Sequence, residues 1–158
     1  AFVVNGGGSA RPALEAKAAG LDNLRFANYQ PKERLGEVLA TGDIHVVPLK
    51  RGLARSSVPS KTYSILAAGR PLVASVDAGT EVARVVEKAA AGVAVPPDDP
   101  DAFVEAVTHL VDHQRVRSEM GASGRAFVER WASPAAVAAS YEDLFAELAR
   151  PRSSPDNR

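Results

Sequence analysis

The chain has 158 residues, 46% of them hydrophobic and 24% charged, with 19 basic and 19 acidic side chains giving a formal net charge of zero. That length suits one domain burying about two-thirds of its unfolded surface, and the charge balance removes the electrostatic basis for neutralising a nucleic-acid backbone. There is no cysteine, which excludes disulfides and thiolate metal ligands and fits a cytoplasmic protein; no run of about 18 apolar residues could span a membrane, and no basic-then-apolar opening reads as a secretory leader.

The first segment, "AFVVNGGG", begins inside an apolar run without an initiator methionine, so the chain reads as part of something longer. Phe2–Asn5 is the first strand, closed by Gly6, Gly7 and Gly8. Residues 11–19 read as a helix stopped by Gly20, and residues 23–28, "NLRFAN", as a second strand. Pro31 opens a helix that ends at Gly42, with Leu35, Val38 and Leu39 on one face. Residues 43–49 form a third strand, and the loop over 50–58 has no apolar period. Pro59 then fits the first turn of a helix that ends in a Gly-Arg-Pro turn, before strand four at residues 71–76. Thr80 is a plausible N-cap for a helix burying Val82, Val85 and Val86, and "GVAVP" is strand five. Asp99 caps a helix with Pro100 at its first position and a buried stripe of Phe103, Val104, Val107, Leu110 and Val111. Two helices follow, 115–131 and 134–149, the second capped by Ser133, with Phe127 and Trp131 read as core. Residues 150–158 are polar and proline-broken, as a frayed tail would be.

Strands separated by short helices imply parallel pairing with right-handed crossovers, and short, nearly all-apolar strands imply burial on both faces. The expected fold is a Rossmann-like three-layer α/β/α domain over residues 1–149, with a mostly parallel sheet of about five to six strands and C-terminal helices.

In such a sheet, ligands bind beyond the carboxyl ends of the strands. Three loops lie there: Gly6–Ser9, Asn28–Pro31 and Lys50–Lys61. The glycines let backbone N–H groups approach an anion at a helix N-terminus, although glycines after a first strand also serve as a plain tight turn. The dinucleotide fingerprint is absent, because Arg11 takes its last glycine position and no acidic residue closes strand two, so no NAD site is expected. The stretch "VPSKTYS" is more informative. With Pro59 in the first turn, the N–H groups of Ser60, Lys61 and Thr62 are expected to be unpaired and to face outward. Together with the lysine ammonium and two hydroxyls they suit a diphosphate, with Arg51 and Arg55 adding positive charge nearby. An ordinary capped helix with a solvated lysine remains the alternative. His45, His109 and His113 lack metal-ligand companions, Asp98 and Asp99 read as a cap, and neither a metal nor a cofactor is expected.

These stretches resemble a known family. "VPSKTYSILAAGRP", with "GGGS" and "LRFANYQPKERLGEVLATGDIHVVPL", is similar to the C-terminal, donor-binding half of GT-B glycosyltransferases. The likeness is to the family 4 retaining enzymes of bacterial polysaccharide and glycolipid synthesis, in the branch that includes fucosamine and colanic-acid-type transferases. It runs from Phe2 to about Leu148. It implies a nucleotide-diphosphate sugar, most often a UDP-sugar, and transfer of a hexosyl or N-acetylhexosaminyl group to a polysaccharide, glycolipid or lipid-linked acceptor. Carried over by position, Gly6, Gly7 and Gly8 approach the donor, and Asn28, Tyr29 and Gln30 border the nucleobase through main-chain groups. Ser57, Pro59, Ser60, Lys61 and Thr62 face the diphosphate, and Ser64 lies near the ribose. Many members carry a pair of glutamates where this chain has Ser56 and Ser64, so the donor sugar is not specified.

The resemblance also implies a separate N-terminal domain that supplies the acceptor site and catalytic residues, so the chain alone is expected to be inactive. The full-length enzyme would be cytoplasmic and peripheral to the inner membrane face. Two alternatives are a non-hydrolysing nucleotide-sugar epimerase-like domain and a non-catalytic GT-B-like interaction module. The lack of acidic residues from Lys50 to Tyr63 argues against the first, and loss of both glutamates favours the second.

Overall fold

The computed structural model describes residues 1–53 and 59–150. Strands and helices alternate over them: β1 (Phe2–Asn5), α1 (Arg11–Lys17), β2 (Leu24–Ala27), a 3-10 turn (Lys32–Arg34) leading into α2 (Leu35–Thr41), β3 (His45–Pro48) and α3 (Lys61–Ala67). After these come β4 (Leu72–Ser75), α4 (Glu81–Lys88), β5 (Gly92–Val95), α5 (Pro100–Asp112), α6 (Gln114–Trp131) and α7 (Pro134–Leu148). Every pairing is parallel. β1 pairs with β2, placing Phe2 opposite Leu24 and Asn5 opposite Ala27. β4 lies between β3 and β5, with Leu72 opposite both His45 and Gly92. The α/β class with helical crossovers is therefore the one the chain adopts, with its strands shared between a two-stranded and a three-stranded ladder.

The chain divides into two compact units, Ala1–Thr41 and the remainder from Gly42. In the first, β1 and β2 are four residues each and α1 and α2 seven each. None of its residues is buried, and β1 is exposed along its whole length. The expectation of strands covered on both faces fails here. Two short strands and two helices of two turns hold too little apolar surface to enclose a core.

The second unit has one. β4 buries Leu72, Val73 and Ala74 completely. Alternation sends Val73 to one face, where it joins Val95 of β5 and Ala106 and Leu110 of α5 in one cluster. α4 turns Val82, Val85 and Val86 inward, as their spacing predicts. The α5 stripe needs correction: Ala106 and Leu110 are buried, but Val104 and Val111 are exposed. At about 100° per residue these two valines lie one step around the helix from the face centred on Leu110. Trp131 is also exposed rather than core, with the Arg130 guanidinium 5.0 Å and the Lys88 ammonium 5.7 Å from its ring centroid.

Helix ends follow local chemistry. The Asp99 side chain accepts from the Ala102 N–H at 3.0 Å, and Ser133 Oγ accepts from the Ala136 N–H at 3.2 Å, each ahead of a first-turn proline. Thr80 stands at the α4 N-cap position, but its hydroxyl donates to the Asp77 carbonyl instead of capping. α3 and α4 both end in Schellman turns. In α3 the left-handed residue is Gly69, at φ +67°; in α4 it is Ala90, at φ +46°. α6 crosses the first of these turns at Gly121, where a Cβ would overlap the Gly69 carbonyl oxygen. α7 buries none of its residues and carries exposed Val137, Tyr141, Leu144, Phe145 and Leu148. Among the described residues no helix is long and apolar enough to cross a membrane. The tail expected over 150–158 lies, beyond Arg150, outside the described residues.

Candidate functional site

Each unit carries candidate residues at the carboxyl ends of its strands. In the first unit, Gly6 follows β1 with φ +126° and its N–H donates to the Ala27 carbonyl at 3.0 Å. A side chain at Gly6 would be strained by that backbone and would meet the Tyr29 ring at 3.5 Å. Gly6 and Tyr29 are thus brought together, while Gly7 and Gly8 stand in open space and Gly8 accepts the Arg11 N–H at 3.1 Å.

Arg11 is the residue that sequence reasoning missed here. It opens α1, where a cation opposes the helix dipole. Its side chain resolves the conflict by reaching oxygens. Nη1 donates to the Gly6 carbonyl at 2.7 Å, to the Ala27 carbonyl at 3.3 Å and to Asn28 Oδ1 at 3.1 Å. Nε pairs with Glu15 Oε1 at 2.7 Å, and the guanidinium lies 5.8 Å from the centroid of the Phe26 ring. The ends of β1 and β2 are therefore tied through one guanidinium. No short-range pattern marks this, because its acceptors lie up to 17 residues away. Gln30 completes the loop: its Nε2 donates to the Asn28 carbonyl at 3.1 Å, and its Oε1 accepts from Arg34 Nη1 at 3.5 Å.

In the second unit, Pro59 and Ser60 precede α3, whose first residue is Lys61. Pro59 stands one residue ahead of the N-cap rather than within the first turn. The Thr62 N–H, expected to be unpaired, donates to the Pro59 carbonyl at 3.0 Å. Its side chain is buried, in register with Ile65 and Leu66. That spacing, i, i+3 and i+4, was the available signal that Thr62 faces inward. Thr62 Oγ1 has no hydrogen-bond partner among the described residues. Lys61 is exposed and Ser64 half-buried. Tyr63 is half-buried, and burial, with the Glu81 carboxylate adding to it, holds its phenol above the ordinary tyrosine value and keeps it neutral. Arg51, expected to add charge near this helix, instead donates to the Pro97 carbonyl at 3.0 Å and lies 3.6 Å from Asp98. Arg55, Ser56 and Ser57 fall in residues 54–58, outside the described residues.

The family Glycosyl transferases group 1 matches residues 1–113. A putative colanic acid biosynthesis glycosyl transferase of Escherichia coli is 37% identical over 123 residues, covering 75% of this chain and 30% of that protein. A probable glycosyltransferase of Pseudomonas aeruginosa is 31% identical over 100 residues, covering 63% of this chain and 24% of its own length. The chain thus spans less than a third of these curated relatives. Among solved structures, sucrose-phosphate synthase from Thermosynechococcus elongatus superposes with a TM-score of 0.74 over 92% of this chain and 37% of that one. At 21% identity this likeness establishes the fold, the Rossmann-like half of a GT-B architecture. The family match takes in β1 through α5 with every candidate loop, and the chain belongs to the glycosyl transferases group 1 family.

Proposed function

We propose that the chain is the nucleotide-sugar donor-binding part of a glycosyltransferase, using a UDP-sugar and serving a polysaccharide, glycolipid or lipid-linked acceptor. The observation that carries this reading is the family match over residues 1–113, which contains all three loops beyond the strand ends. In this reading Gly6, Gly7, Gly8, Asn28, Tyr29 and Gln30 hold the nucleoside end of the donor. Ser57, Pro59, Ser60 and Lys61 meet the diphosphate, Thr62 supports them from within, and Ser64 serves the ribose.

The chemistry is electrostatic. A nucleoside diphosphate gains negative charge as the glycosidic bond breaks, and donors already fixed in place stabilise it without reorganising. The exposed Lys61 ammonium, beside the Ser60 hydroxyl, supplies a mobile point charge for a phosphate. Residues 1–149 then contribute the donor side. Transfer of a hexosyl or N-acetylhexosaminyl group needs an acceptor-binding domain as well, in a cytoplasmic enzyme working at the inner face of the membrane.

Titration of the chain with UDP, followed by NMR or calorimetry, tests the reading. Binding is expected between about 1 μM and 1 mM, weakened about tenfold in Lys61→Ala by loss of one charge-assisted contact. No response to UDP, GDP or ADP at concentrations up to about ten times that range's upper limit would sink the proposal.

A further inference from the structure

The Arg11 network fixes which end of the Asn28 amide is occupied and which is left free. Arginine carries donors only, so the Asn28 atom 3.1 Å from Arg11 Nη1 must be the carbonyl oxygen Oδ1. The usual ambiguity between the two ends of an asparagine amide is removed by that chemistry. Nδ2 sits on the same planar carbon and is turned away from the guanidinium. It has no partner among the described residues, and Asn28 is exposed. The main chain is held as firmly: the Asn28 carbonyl accepts from Gln30 Nε2, and Gln30 is in turn held by Arg34. With its main-chain carbonyl occupied and its side-chain oxygen taken, Asn28 has an N–H donor left for a ligand at this end of β2.

We infer that Asn28, oriented by Arg11, selects the nucleobase, accepting bases that present a keto oxygen and disfavouring those that present an amino group at the same position. The inference rests on the donor-binding reading given above. Uracil and cytosine provide the matching pair: the pyrimidine 4-position carries an acceptor oxygen in one and an amino donor in the other. Asn28 Nδ2 hydrogen-bonds the first and opposes the second with a like donor. Arg11 acts on the base through Asn28, while its other contacts hold the Gly6 and Ala27 carbonyls, which makes it a positioning residue.

The experiment compares UDP with CDP on the full chain. The native chain is expected to bind UDP about tenfold more tightly, a ratio suited to one exposed hydrogen bond gained against one donor left unmatched. Asn28→Asp keeps an oxygen toward Arg11 and turns the outward donor into an acceptor, so the preference should invert to favour CDP. Arg11→Met frees the amide to present either end, and the ratio should collapse to about twofold or less. Arg11→Lys still donates to Oδ1 and should restore the ratio. A merely structural arginine would weaken both nucleotides together and leave their ratio unchanged. Equal binding of UDP and CDP by the native chain, or an unchanged preference in Asn28→Asp, overturns the inference and leaves the donor reading standing. Failure of both nucleotides to bind overturns the two together. Because Asn28 is exposed and its variant keeps the Arg11 contact, that arm is readable even where Arg11→Met unfolds.

Discussion

The two units are built from the same grammar of short parallel strands and crossover helices, yet they hold together differently. Residues 1–41 bury nothing, and their most connected residue is a charged one, Arg11, which joins Gly6, Glu15, Ala27 and Asn28. From Gly42 onward the order is reversed, with Leu66, Leu72, Val73, Val82, Val86 and Leu110 almost fully covered. Apolar area removed from water stabilises at about 25 cal/mol per Å², whereas an exposed or half-exposed hydrogen bond contributes about 1 kcal/mol net. The difference shows that a shared pattern of parallel strands and crossover helices does not confer equal cohesion. One unit is organised by shape exclusion, the other by the direction of a few donors.

The contrast is broken most sharply by cavity-forming substitutions. Leu110→Ala should cost about 2–5 kcal/mol in urea unfolding of the second unit. Leu14→Ala, at a site 47% exposed on α1, should cost about 0.5 kcal/mol or less. Equal losses would mean that the two units share a single source of stability. Next in size is Gly121→Ala. Its methyl group would overlap the Gly69 carbonyl, so α6 must move away, and a midpoint shift equivalent to about 1–3 kcal/mol is expected. The last effect has the opposite sign. Ala90 holds the left-handed position that Gly69 fills at the end of α3, so Ala90→Gly should raise stability by about 0.5–1 kcal/mol. A loss there would indicate that the Ala90 methyl makes a contact worth more than its backbone strain.

Local signals were read most successfully where one residue type has one physical use. Asp99 before Pro100 and Ser133 before Pro134 were legible as caps, and both side chains accept the expected N–H. The three valines of α4 were legible because their spacing closes one face. The end of that helix was not: strand five was legible from Gly92, but the left-handed turn before it falls on Ala90 rather than on a glycine. Alanine in a left-handed turn defies local propensity and leaves no trace in composition. The site was legible in part. Its loops were placed by strand order, and the exposed Lys61 by its position after Pro59. The inward turn of Thr62 is hidden in the sequence because its hydroxyl marks it as a surface donor, whereas its spacing to Ile65 and Leu66 puts it on the buried face. The Arg11 contacts could not be inferred, since they depend on β1 and β2 pairing first.

The crossing of α6 at Gly121 and Gly124 also sets a schedule for synthesis. A Cβ at Gly124 would press against Leu66 and Ala91, so α6 is the element that covers them. Those covered atoms leave the ribosome well before their cover does: about 60 residues separate Leu66 from Gly124, roughly 3–12 s of translation at ~5–20 residues/s. Throughout that interval the α3 face with Leu66 is apolar and bare, and the nascent chain presents it to whatever is nearby. Chaperone dependence during translation should therefore fall abruptly when α6 emerges, and slowing the ribosome before that point should lengthen the exposed period, whereas slowing it afterwards should not.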